Sequence, residues 1–505
     1  MFLASLVFLL LGFTISIVFS RNKTLETNSR YGPSSYPFIG CLISFYANRR
    51  RLLQWYTDLL SLSPSQTISL RRLGSRRTVV TANPDNVEYI LKTNFINFPK
   101  GKPFTDLLGD LLGGGIFNSD ADQWSSQRKV ASHEFTTRSI RDFGFEVLRD
   151  EAENRLIPVL ESAAYAGATL DLQEVLKRFA FDVVCKFSLG TDPDCLDLTR
   201  PVSPLVVAFD TAAEISARRA MEPIYAVWKI KRWLNVGSER RLREAVRTVH
   251  VSVSEIIRAK KKSLEIGTGD EAKQDLLSRF LSAGHGGDAV RDMVISFIMA
   301  GRDTTSAAMT WLFWLLTQND VAEKKVLEEV GSLMKGKDGD LGLGFEDLKV
   351  MSYTKACLCE AMRLYPPVAW DSKHAANDDV LPDGTRVSRG DKVTYFPYGM
   401  GRMEKLWGKD WDEFKPDRWL ACEPEDGARP VLRSVSPFKF PVFQAGPRVC
   451  LGKETAFMQM KYVIGSVLRR FEIVPVCNNR PIFVPLLTAH MASGFKVKIK
   501  RRTTQ

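Results

Sequence analysis

Phe443-Gln444-Ala445-Gly446-Pro447-Arg448-Val449-Cys450-Leu451-Gly452 places one cysteine in a loop punctuated by glycine and proline, and the helix-like stretch Glu454 to Arg470 follows it. A thiolate that ligates a metal must be deprotonated and shielded from oxidation. An aromatic such as Phe443 and nearby backbone N–H groups supply the cover and the hydrogen bonds. Gly446 permits a tight turn, Gly452 lets the backbone approach a flat bound group, and Arg448 can pair with an anion. A lone cysteine is more often an inert buried thiol, so the rest of the chain must decide between the two.

Working outward, Glu360 and Arg363 stand at i, i+3, adjacent on one helical face. Pro416-Asp417-Arg418-Trp419 brings a second arginine further on. The apolar stretch Val290 to Leu316 reads as a long helix, too polar at its start to cross a membrane. Within it lies Ala300-Gly301-Arg302-Asp303-Thr304-Thr305, and the three- and four-residue spacings put Phe297, Ala300, Gly301 and Thr304 on one face. Trp124 and Arg128 are one helical turn apart. Thr67 to Leu70 and Thr78 to Thr81 read as short strands joined by a turn around Gly74, before mostly helical patterns take over.

These motifs, in this order, resemble the cytochrome P450 superfamily, whose signature Phe-x-x-Gly-x-Arg-x-Cys-x-Gly the first loop matches at every fixed position. The resemblance implies a mainly α fold with a small β subdomain and a haem b whose iron is ligated by Cys450. A thiolate ligand there favours O–O cleavage. It further implies that Phe443, Arg448 and Gly452 surround the haem, that Trp124 and Arg128 contact one propionate, and that Lys373, or its neighbour His374, contacts the other. Ala300 and Gly301 would leave room for dioxygen, with Asp303 and Thr304 managing protons. Glu360, Arg363 and Arg418 would form a buried structural network beneath the haem.

Over most of its length the sequence is similar to the plant fatty-acid ω-hydroxylase clan, carried by Asn86 to Phe104, Ala361 to Thr385 and Tyr395 to Met403. Ala212 to Ala220 and Pro485 to Met491 most resemble jasmonoyl-amino acid 12-hydroxylases. That implies NADPH- and dioxygen-dependent hydroxylation of the terminal carbon of jasmonoyl-isoleucine. Free fatty acids are the alternative substrates. A reductase-independent lyase or isomerase and a non-enzymatic haem or lipid sensor are the alternative classes. An acid with an apolar tail needs an apolar wall and a cation. By position in relatives the wall candidates are Phe104, Leu107, Phe117, Phe297, Val368 and Leu487; the candidate cations are Arg218 and Arg219. The run Gly113 to Gly115 lacks the Gly-Lys-Ser/Thr of a phosphate loop and falls where relatives form the channel rim.

The 505 residues carry 70 Lys and Arg against 58 Asp and Glu, a net +12. No zinc-finger or RNA-recognition motif accompanies this surplus, so a membrane or an acidic protein is the better-suited partner. No nicotinamide or flavin fingerprint is present, so electrons come from another protein. By resemblance this is NADPH-cytochrome P450 reductase. Eight scattered cysteines suit a reducing compartment, with Cys357 and Cys359 as buried thiols on different helix sides. The uncharged run Phe2 to Phe19 approaches the ~20 residues a bilayer core requires, and the basic flank Arg21, Lys23 and Arg30 follows. The expected layout is a membrane anchor at 1–20, a basic Pro/Gly hinge at 21–40 and one catalytic domain at 41–505. The anchor would be single-pass in the endoplasmic reticulum with the domain cytosolic, which leaves the sequon Asn22-Lys23-Thr24 unglycosylated.

Overall fold

The computed structural model describes residues 31–136, 138–266, 275–282, 284, 287–335, 342–421 and 430–502. The expected anchor, its basic flank and the sequon lie outside these residues. Among the described residues no helix is long and apolar enough to cross a membrane.

Helices dominate, with short strands gathered into small sheets. The helices that frame the site are, in chain order, α1 (Leu52–Leu62), α2 (Lys102–Leu112), α3 (Ala121–Thr136), α4 (Leu172–Leu189), α5 (Pro204–Met221), α6 (Ala226–Leu234), α7 (Ser238–Ile266), α8 (Gly287–Leu316), α9 (Ser352–Leu364) and α10 (Lys453–Leu468). α8 is buried along most of its length, from Val290 to Leu316. It runs through the molecule rather than over it, which its nearly continuous apolar sequence anticipates. The ends of α4 show why a helix starts and stops where it does. Asp171 accepts from the backbone N–H groups of Gln173 and Glu174, and Gly190 closes the helix in the left-handed region at φ 61°.

The strands, numbered along the chain, are β1 (Thr67–Leu70), β2 (Thr78–Thr81), β3 (Thr169–Asp171), β4 (Asp371–His374), β5 (Asp379–Val380), β6 (Arg386–Val387), β7 (Lys392–Tyr395), β8 (Phe471–Pro475), β9 (Phe483–Pro485), β10 (Ala489–Met491) and β11 (Lys496–Arg501). The first two fall where the sequence places them, with Gly74 at φ 68° in the turn between them. They continue into a four-stranded sheet of order β1-β2-β7-β4, in which β2 and β7 are parallel and the outer pairs antiparallel. Because side chains alternate across a strand, Asp371, Lys373 and Tyr395 share one face. Ser372, His374, Lys392, Thr394, Thr78 and Val80 share the other.

The largest apolar cluster joins α4, α8, α9 and α10 with β8 and β11. Cys357 and Cys359 are both buried on α9. Both belong to this largest apolar cluster.

Candidate functional site

Backbone geometry fixes the cysteine loop before any ligand is considered. Gly446 adopts φ 62°, and a Cβ there would collide with the Leu91 carbonyl, so no other residue fits this turn. The Val449 N–H donates to the Gly446 carbonyl at 3.0 Å, and the Cys450 N–H to the Phe443 carbonyl at 2.8 Å. The Phe443 ring lies 5.1 Å from that of Phe457 on α10. Cys450 is thus presented at the entry to α10, a residue with exposed surface whose thiol is set deep among the surrounding atoms. Burial pushes its thiol up, while the Gly452 backbone N–H, Arg128 and Lys453 pull it down. A Cβ at Gly452 would meet nothing within 4 Å. An exposed cysteine and the open space at Gly452 beside it form a cradle for a flat group.

Cations collect along one side of that cradle. Arg128 on α3 donates to the Val449 carbonyl at 2.5 Å. The Arg448 guanidinium lies 4.5 Å from the Trp124 ring centroid and pairs with Asp120 at 2.8 Å. On the sheet face nearest the loop, Asp371 receives Lys100 at 2.7 Å, Lys373 at 3.0 Å, the Tyr395 hydroxyl at 2.9 Å and Gln444 at 3.2 Å. Burial works against the Asp371 charge, but the two lysines hold its carboxyl well below the usual range. Lys100, Arg128, Lys373 and Arg448 therefore outnumber the two carboxylates among them, Asp120 and Asp371, although burial draws the Lys373 ammonium down to about 7. The surplus matches the propionate pair of a haem, and the Cys450 thiol beside it would supply the ligand. These residues fit that group.

The site differs here from the sequence expectation in two respects. Lys373 is committed to Asp371 and reaches the cradle as part of that cluster, rather than as a free arm. His374, on the opposite face, is tied through Nδ1 to the Lys100 carbonyl. Lys100, Asp371, Tyr395 and Gln444 were not candidates. The only sequence signal for them is the polar run Asp371-Ser372-Lys373-His374, whose four residues are all buried.

Helix α8 closes the cradle. Phe297 belongs to one apolar cluster with Trp124 of α3 and Leu451 of the cysteine loop, which brings the three motifs together. Phe297 also stacks on Phe280 at 5.9 Å. The Thr304 hydroxyl donates to the Ala300 carbonyl one turn back at 2.6 Å. Asp303 sits amid Arg302, Lys177, Asp210 and His490, and burial raises its carboxyl despite the neighbouring cations. Arg302 is buried and pairs with Asp210 at 2.7 Å. A Cβ at Gly301 would come within 2.6 Å of Val184, so its smallness lets α8 pack against α4.

Glu360, Arg363 and Arg418 form the expected network. Arg363 grips Glu360 at 2.7 and 2.8 Å, and Arg418 reaches the same carboxylate at 3.0 Å. Glu360 also accepts from the Trp419 indole N–H at 2.8 Å and the Lys415 backbone N–H at 3.0 Å, which were not anticipated. Arg363 also donates to the carbonyls of Gly401, Trp411 and Glu413, which pins the segment leading to the cysteine loop.

Of the wall candidates, Phe104, Leu107 and Leu487 meet in one apolar cluster. Phe297 is in the neighbouring one, Val368 is half-buried, and Phe117 keeps 37% of its surface open. The cation candidates are corrected. Arg219 is 2% exposed and fully engaged, by Glu239, by Asp110 at 2.8 Å and by the Leu107 carbonyl at 3.0 Å. Arg218 points to solvent and pairs with Glu214 one turn away on α5. The glycine run packs on α8: the Gly114 N–H donates to Asp292 at 2.8 Å, and Gly113 leaves room for that carboxylate.

A family model described as cytochrome P450 matches residues 31–495. The chain is 76% identical over 500 residues to cytochrome P450 94B3 of Arabidopsis thaliana, spanning 98% of both proteins. To cytochrome P450 94B1 of the same plant it is 74% identical over 499 residues, 98% of this chain and 97% of the relative. Cytochrome P450 94A1 of Vicia sativa is 45% identical over 473 residues, 93% of this chain and 90% of the relative.

Proposed function

Since this chain belongs to the cytochrome P450 family, and is therefore a haem-dependent monooxygenase supplied with electrons by a partner reductase, we propose that its substrate is a jasmonoyl-amino acid conjugate such as jasmonoyl-isoleucine, hydroxylated at carbon 12. The observation that carries the substrate class is the pairing of sequence resemblance with position. Leu487, within the resembling run Pro485 to Met491, shares an apolar cluster with Phe104 and Leu107. Haem held by the Cys450 thiolate supplies the oxygen-activating chemistry when bound. Arg128, Arg448 and the two lysines gathered on Asp371, Lys100 and Lys373, would hold it through its propionates. Asp303, whose raised carboxyl takes up a proton readily, passes protons inward, and the Thr304 hydroxyl relays them once it leaves the Ala300 carbonyl. The overall reaction inserts one oxygen atom into a C–H bond. The other leaves as water, with two electrons from NADPH delivered by NADPH-cytochrome P450 reductase.

The same reading places the protein on the endoplasmic reticulum membrane, with its catalytic part in the cytosol. Exposed apolar side chains at Phe38, Ile43 and Tyr46 and at Ile230, Trp233 and Leu234 of α6 support it. Arg72 links the two segments: its guanidinium lies 4.3 Å from the Phe45 ring centroid and donates to the Glu222 carbonyl at 3.2 Å. With the neighbouring cations Arg49, Lys229 and Lys231, these apolar side chains suit an interface of lipid tails and anionic headgroups. The substrate assignment is tested by incubating microsomes containing the protein and reductase with jasmonoyl-isoleucine and dodecanoic acid in competition. Mass spectrometry should find the 12-hydroxylated conjugate as main product; preferential oxidation of the fatty acid would overturn it.

A further inference from the structure

With Arg218 and Arg219 engaged elsewhere, another cation must meet the acid group of an acyl amino acid. The sheet face opposite Asp371 supplies two. This face floors a recess of about 50 Å³, whose lining includes Arg72, Lys392, Phe45, Tyr56, Met221 and Trp370. That volume exceeds what a single water needs and suits a carboxylate. The Arg72 Nε is buried with no hydrogen-bond partner. Arg72 and Lys392 join no ion pair among the described residues; the carboxylate acting on Lys392 is Asp371, on the far face of the sheet. Burial and the nearby Arg72 pull the Lys392 ammonium down to about 8. Two like charges set against aromatic and aliphatic walls are unfavourable unless an anion arrives with an apolar body of its own.

The recess is also connected to the apolar wall. Ala220, which lines it, packs against the cluster that holds Phe104, Leu107 and Leu487. An amphipathic acid with its head in the recess would therefore find continuous apolar surface for its tail. We propose that Arg72 and Lys392 are the carboxylate subsite of this enzyme, holding the acid end of the substrate so that chain length decides which tail carbon is oxidised. This rests on the substrate reading above only in requiring an acid with an apolar tail.

The test compares each acid with its own methyl ester, using full-length protein with reductase, for jasmonoyl-isoleucine and for dodecanoic acid. Spectral dissociation constants, KM and the position of oxidation are measured for the parent, R72Q, K392Q and R72K. The preference for acid over ester should fall about tenfold or more in R72Q and in K392Q, as expected when one partner of a desolvated charge pair is removed. R72K should recover much of it. Should R72Q lose stability through its missing tie to Glu222, K392Q carries the test, because the Lys392 side chain makes no hydrogen bond among the described residues. An acid-to-ester ratio equal to the parent's in K392Q would overturn the proposal. So would an unchanged ratio accompanied by loss of binding to phosphatidylserine vesicles, which would make the recess a lipid-headgroup site. If the parent oxidises dodecanoic acid and ignores jasmonoyl-isoleucine, the substrate reading fails, while the acid-to-ester ratio still decides the subsite.

Discussion

Thr304 donates back to the carbonyl four residues earlier, a bond many helical threonines make. What separates it from them is Asp303 beside it, whose burial favours the protonated form. Thr304→Ala should retain haem and fold while diverting reducing equivalents to peroxide, read as several-fold more peroxide per NADPH consumed; unchanged coupling would remove Thr304 from proton delivery. His374 makes a prediction about acid stability. Burial lowers its pKa to about 4, and Lys392 and Arg76 add to the effect. The unfolded chain therefore takes up this proton first, near pH 6.5. Stability present above pH 6.5 is lost as pH falls toward 4, by up to about 3 kcal/mol. His374→Gln should flatten that part of the profile in thermal melts. At this scale the sequence was legible where chemistry dictates residue type, as at Cys450, Glu360 and Arg363. It was not legible at Arg218 and Arg219. Neighbours on a helix differ by about 100° in direction, and only the distant Asp110 and Glu239 decide which of the two is buried.

Helices announced themselves by apolar runs, and α8 and α10 lie within a few residues of their expected bounds. Their crossings did not. Gly301 reads as space for a small ligand, and nothing near it in the sequence signals its packing partner Val184 on α4, more than a hundred residues earlier. Gly301→Ala should destabilise the protein by about 1–3 kcal/mol through overpacking, and Val184→Ala in the same chain should relieve part of the loss, seen as non-additive shifts in Tm. The sheet was equally opaque beyond its first hairpin. β4 buries Asp371, Ser372, Lys373 and His374, with no polar and apolar alternation to mark a strand. Those polar residues are tolerated because Asp371 gathers the lysines, Tyr395 and Gln444 around one charge. The Glu360 network carries the same logic: Glu360→Gln leaves Arg363 and Arg418 buried without their shared charge, and should cost about 3–5 kcal/mol and most haem incorporation. Haem content near the parent's would show that hydrogen bonds alone suffice.

For the molecule as a whole, the surplus of basic residues and the exposed apolar side chains of α6 and of the segment around Phe38 point to surfaces, while the cradle at Cys450 points inward. Where the basic surplus draws in the electron-donating partner, that attraction should weaken as salt screens it. Reductase-supported turnover is expected to fall with ionic strength, while turnover driven by an added peroxide should not. The haem cradle was legible as a set of motifs but not as a balance of charge, because Lys100 and Asp371 are joined only by the fold. The central claim is that Cys450 is the thiolate ligand of a haem held in this cradle. Its most direct test is the difference spectrum of the reduced carbon monoxide complex for the parent and for Cys450→Ala. The parent should give the band position of a thiolate-ligated haem and the variant should lose it; a thiolate-type band surviving in Cys450→Ala would contradict the account.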